Sequence, residues 1–221
     1  MAGITPYGAG ATLSAITGRS SFPALGLTFV GLLSSISGAQ GTLAFSEPPA
    51  SSGYGRAPIV PSSWGAPVAN ASPPYSTISN NVAIAFNASS GAWGTVQGWA
   101  LFDGSGSAAN MLWWDWLGGF PWLPFYAASG AGTAPGVFDV AAHGYSNGDQ
   151  AVLTAEFGGS LPTSVSNLAV PLTVAGATAD TFNLGVITSS SGSGMVRKVV
   201  TQTVNTGIVV TLNAGAIVLQ L

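Results

Sequence analysis

An all-β fold is predicted by three features of this sequence: short apolar runs that alternate, Gly-rich punctuation between them, and almost no helical periodicity. Val82, Ile84 and Phe86 alternate with Ala83, Ala85 and Asn87, the period of a strand with one face on a core. Similar runs occur at residues 25–33, 55–60, 95–102, 110–116, 199–204, 208–212 and 216–221. Between them stand turn formers such as Gly53-Tyr54-Gly55, Asp103-Gly104-Ser105-Gly106, Asn147-Gly148 and Asn205-Thr206-Gly207. Many short strands separated in this way make a sandwich or a barrel.

Taken in order, the chain offers one short helix, at about residues 11–16, before its first strand. Arg19 followed by the apolar residues 22–33 has the outline of a secretory signal, but Pro23, Gly26 and Gly31 suit a buried strand better than a signal helix. Residues 61–80 carry four prolines among Ser and Asn and are expected as a loop. Residues 118–136, rich in Gly and Pro, are expected as a hinge that opens a second unit. Residues 189–194, all Ser or Gly, are expected as its return linker.

Composition narrows the function. Only 5% of the 221 residues are charged, with seven acids against four bases and a formal charge of −3. That leaves no electrostatic footprint for nucleic acid. Mean hydropathy of +0.46 supplies a large core, yet no apolar run reaches the roughly 18 residues of a membrane-spanning helix. There are no cysteines, so packing or association must stabilise the chain. A surface this poor in ions is tolerable when neighbours in an assembly cover it.

Reactive chemistry is sparse. His143 is the sole histidine, and its neighbours Gly144 and Asn147-Gly148-Asp149 are turn formers, so it is expected as a locally hydrogen-bonded turn residue. One His and scattered acids give no metal-ligand spacing. Asp103-Gly-Ser-Gly-Ser107 lacks the acids of a calcium loop. The remaining carboxylates show no spacing that pairs them, and no Gly-rich phosphate loop occurs. No catalytic residue, cofactor or metal is expected.

The aromatic cluster is the exception to this plainness. Trp113, Trp114 and Trp116 are followed by Phe120, Trp122, Phe125 and Tyr126. In a strand, Trp114 and Trp116 share one face and Trp113 and Asp115 the other, so these rings divide among core, subunit interface and sugar-stacking platform. We take all seven as interface candidates, because aromatic rings supply contact area at low entropic cost.

Leu27-Thr-Phe-Val-Gly-Leu-Leu33, Gly53-Tyr-Gly-Arg56, Ala92-Trp-Gly-Thr-Val96, Ala100-Leu-Phe-Asp103 and Asn110-Met-Leu-Trp113 together resemble the small virion proteins commonly labelled tail fibre protein in tailed-phage genomes. Thr203-Val-Asn-Thr-Gly207 and Ala214-Gly-Ala-Ile-Val-Leu219 resemble that family's last two strands, with Ile208 where an acid is usual. Between them, residues 142–149 and Ala177-Thr-Ala-Asp-Thr-Phe182 are similar to a small β module of phage structural proteins. The resemblance implies a jelly-roll-like antiparallel β-sandwich, residues 1–118 plus 196–221, with a small β-barrel-like module inserted at residues 119–195. It further implies a non-enzymatic virion protein of a tailed bacteriophage. A capsid decoration or cement protein on the outer surface of the head is preferred, because no fibre-like repeat or coiled coil is visible. The alternative is a tail fibre or a glycan-recognition module using the Trp-rich segment. Expected partners are the major capsid protein or tail components, together with further copies of the chain, preferably as a trimer.

Overall fold

The computed structural model describes residues 3–19, 27–37, 44–71, 74–118, 121–130, 134–155, 159–165 and 171–220. Its elements are almost all antiparallel strands, as the all-β reading requires. They divide into two compact units, one of residues 2–35, 45–119 and 202–221, the other chiefly of residues 120–201.

The first unit is built on a five-stranded sheet. Its spatial order is Gly3–Ile4, Met111–Trp116, Gly98–Phe102, Thr28–Leu33 and Ala57–Ile59. Smaller sheets supply the opposing residues of its core: Val68–Ala71, Pro74–Ser79 and Val218–Gln220 form one, while Ile84–Ala85 pairs with Thr211–Leu212 and Gly94–Val96 with Gln202–Val204. Val30, Leu32, Trp99 and Leu101 from the large sheet meet Ile84, Val204, Val210 and Ile217 in that core. Buried Asn80 ties the C-terminal segment down: its amide donates to Val82 and Asn213 carbonyls and its oxygen accepts from Ile217 N.

A single helix, Pro6–Ile16, precedes the sheet. Thr5 caps it by accepting from Gly8 N at 3.1 Å, and Pro6 occupies the first turn, where its missing N–H is not needed. These two residues start the helix five positions before the expected residue 11. Gly8 lies against the Leu112 carbonyl so closely that a Cβ there would come within 2.5 Å of the oxygen.

Residues 61–80, expected as a loop, instead contain the strands Val68–Ala71 and Pro74–Ser79. Pro67 falls just before the first strand and Pro74 begins the second, positions at which the ladder tolerates a missing donor.

The second unit is a six-stranded sheet in the order Leu172–Thr173, Gln150–Thr154, Gly192–Val199, Leu123–Ala128, Pro135–Asp139 and Thr181–Ile187. Ala175 and Asn183 then exchange reciprocal backbone hydrogen bonds of 2.9 and 2.8 Å, joining the last strand back to the chain leaving the first. The sheet thereby nearly closes into a barrel. Phe125, Phe138 and Phe182 fill it, the latter two stacked with centroids 5.6 Å apart, together with Leu153, Leu184 and Val196.

Two expectations for this region change. The hinge at residues 118–136 holds the strands Leu123–Ala128 and Pro135–Asp139. Pro124 is tolerated because it lies beyond the stretch paired with Pro135–Asp139 and has a strand on one side only. The linker at residues 189–194 runs into the strand Gly192–Val199, where glycine is required by close approach: a Cβ on Gly194 would lie 2.2 Å from the Thr154 carbonyl oxygen.

An ion pair gives the barrel a pH dependence. Asp149 lies 2.7 Å from Lys198 Nζ and accepts from Ser146 N at 2.8 Å. Burial pushes its carboxyl up, but the Lys198 ammonium and the Ser146 N–H together outweigh this and hold it below the usual carboxylate range. A depressed acid stabilises the fold above its unfolded value, about 3.9, and that contribution disappears as pH falls through the folded value. The melting temperature of the barrel is therefore expected to decline as pH is taken below about 4. Asp149→Asn should lower the melting temperature at neutral pH and flatten that acid limb; an unchanged limb would assign the effect to another carboxylate.

Candidate assembly surface

The Trp-rich strand Met111–Trp116 occupies the second position of the large sheet, and its two faces meet different surroundings. Leu101 pairs with Trp113 but Phe102 pairs with Met111, so Leu112 is an extra, bulged residue. The bulge brings Leu112 into the core beside Trp113. Trp114 and Trp116 point to the other face, opposite Ala100 and Gly98, where one methyl and one bare Cα leave room for two indoles. The rings meet edge to face, centroids 5.6 Å apart. Both faces of the strand are thus buried, with Trp116 only 1% exposed.

Phe102, on the same face as Trp114, anchors a polar cluster that sequence reasoning did not assemble. The Arg56 guanidinium lies 3.4 Å above the Phe102 ring centroid. Its Nη2 donates to Glu47 Oε2 at 2.7 Å, and its Nη1 donates to the carbonyls of Gly104 and Gly106. Glu47 Oε1 also accepts from the Tyr54 hydroxyl at 2.6 Å, and that hydroxyl accepts from Leu32 N. Burial, and after it the Glu47 carboxylate, push the Tyr54 phenol well above its ordinary range. Gly31 completes the cluster, because a Cβ there would stand 2.6 Å from Glu47 Oε1 and 2.8 Å from the Phe102 ring. Arg56 thereby clamps the 103–107 turn, in which Asp103 also accepts from Asn110 N. Gly53-Tyr-Gly-Arg56 and Leu27–Leu33 carried the available signal; Glu47 lies outside both.

The seven interface candidates separate. Trp113, Trp114, Trp116 and Phe125 are buried within the chain. Trp122 is half-buried and lies 5.9 Å from the Arg197 guanidinium, while Tyr126 is 58% exposed on the barrel wall. Phe120 lies outside the described residues. Exposed apolar groups that sequence reasoning passed over include Tyr7, Leu13 and Ile16 on the helix, and Val137 and Ile187 on the barrel. A helix with apolar side chains facing outward is suited to being covered.

His143 is buried, its Nδ1 accepts from Tyr145 N at 2.8 Å, and its ring packs edge-on to Phe182. Among the described residues no group of three His, Cys, Asp or Glu is placed to hold a metal ion, and no helix is long and apolar enough to cross a membrane.

Both compact units of this charge-poor chain expose apolar side chains, a surface suited to association. Comparison with known families agrees: residues 3–118 match the sequence model described as podophage GP4 fiber I protein gp80. The chain belongs to this family of phage fibre structural proteins. The matched span contains the helix, the five-stranded sheet, the Trp-rich strand and the Glu47–Arg56 cluster, and it ends before the barrel. No curated protein matches the chain.

Proposed function

We propose that this chain is a non-enzymatic component of a tailed-phage particle and that it works in the tail, as part of a fibre. The fibre description of the family matching residues 3–118 is the observation that supports this reading, and it favours a fibre over head decoration. The sandwich unit, which carries the family match, is the part that joins the particle. The exposed helix and the barrel wall supply contacts to tail components and to further copies of the chain, with a trimer as the preferred assembly. Because few charges exist to be screened, these contacts depend little on salt.

The particle itself provides the test. A few to a few dozen copies per virion, located at the tail by labelled antibody, are expected; hundreds of copies spread over the head would restore the decoration reading.

The barrel is proposed to be a separable insertion. Leu117 N donates to Gln97 O at 2.9 Å, and Gln202 pairs with Val96, so within the sandwich unit the chain leaves and re-enters at adjacent residues of one segment. Replacing residues 120–201 with a short Gly-Ser turn is expected to leave the sandwich folded and able to join the particle. An insoluble product would show that the two units fold only together.

A further inference from the structure

We infer that the sandwich unit contains a binding cavity for a neutral apolar small molecule, roofed by the N-terminal helix. The cavity has a volume of about 330 Å³. Leu101 and Trp113 of the large sheet form one wall, Ile78 and Leu219 of the three-stranded sheet form the other, and Gly8 and Thr12 of the helix lie across it. An engineered apolar cavity of about 150 Å³ in another protein stays dry and accepts benzene, so a space of 330 Å³ accommodates a two-ring aromatic or a medium-length alkyl chain.

Charge and hydrogen bonding specify the ligand further. No Asp, Glu, Lys or Arg lines the cavity. Four hydroxyls line it, those of Thr12, Thr28, Ser76 and Thr77; Thr12 Oγ1 donates to Gly8 O at 2.9 Å and Thr28 Oγ1 to Ile59 O at 3.4 Å. These hydroxyls can accept from a ligand hydroxyl, but no lining group supplies the cation that would offset a carboxylate's desolvation. A neutral alcohol or aromatic is therefore favoured over a fatty acid of the same length. The helix meets the sheet at the Thr5 cap, whose hydroxyl donates to Met111 O, and at the close Gly8–Leu112 approach, with Leu13 and Ile16 turned outward.

Titration with the neutral dye N-phenyl-1-naphthylamine tests this on the full chain. Saturable enhancement with one dye per chain is expected, displaced by n-decanol at a concentration about tenfold lower than by decanoate at pH 8. Thr12→Phe and Ile78→Phe, both at partly exposed positions, place a ring in the cavity and should each weaken dye binding by about tenfold or more. Leu13→Ser, on the outer side of the helix, should leave it unchanged. Absence of saturable binding, wild-type affinity in both Phe variants, or loss of binding in Leu13→Ser would overturn the cavity assignment. Equal competition by decanoate would overturn the neutral ligand class.

Discussion

Arg56→Ala is expected to destabilise the sandwich unit by about 3–5 kcal/mol, the cost of leaving one member of a buried ion pair without the other. The Arg56 side chain is 5% exposed and that of Glu47 17%, so water cannot replace the lost partner. The substitution also removes the cation above Phe102 and frees the carbonyls of Gly104 and Gly106. Arg56→Lys is expected to rescue little, because a single ammonium cannot hold the carboxylate, the ring face and two carbonyls at once. Glu47→Gln should be milder, since it keeps an acceptor for Tyr54. Chemical denaturation checks all three. Arg56→Ala within about 1 kcal/mol of wild type would mean that the cluster is solvated and contributes as weakly as a surface pair.

The other large effect is expected in the barrel. Phe182 is 1% exposed, stacks on Phe138, and receives the edge of His143. Phe182→Ala should cost about 3–5 kcal/mol, a loss of transfer energy plus the cavity left behind. Under the two-unit reading the loss is confined. A thermal scan should show the barrel transition moving down while the sandwich transition stays in place. If one cooperative transition moves as a whole, the units are energetically a single body and the proposal of a separable insertion fails.

How much of this was readable in the sequence depended on how local each signal is. Alternation at residues 82–87 placed Ile84 and Phe86 in the core but also Val82, which is 46% exposed because the strand there spans only Ile84–Ala85; the face assignment of Trp114 and Trp116 follows from period two alone. That both faces are covered was not readable, because room for Trp114 and Trp116 depends on Gly98 and Ala100 of a neighbouring strand. Proline counting misled at residues 61–80 and 118–136, since composition does not say whether a proline begins a strand, as Pro74 and Pro135 do, or interrupts one. Glycine counting misled at residues 192–194 for a related reason: the glycines there make room for a neighbouring backbone. The Glu47–Arg56 cluster draws on residues 31, 47, 54, 56, 102, 104 and 106, a constellation with no spacing to recognise.

The bridge between Ala175 and Asn183 has a consequence for life in a crowd. An open six-stranded sheet would present two ladders of unpaired N–H and C=O groups, each a template onto which a neighbouring chain can add a strand. Copies concentrated on one particle would meet such edges continually, and a chain with so few charges has little repulsion with which to refuse them. The Ala175–Asn183 bridge narrows that opening by pairing the middle of the last strand with the chain leaving the first, while side chains such as Tyr126, Val137 and Ile187 face outward. Less backbone is thereby open to strand addition, and recognition of the barrel shifts toward its side chains.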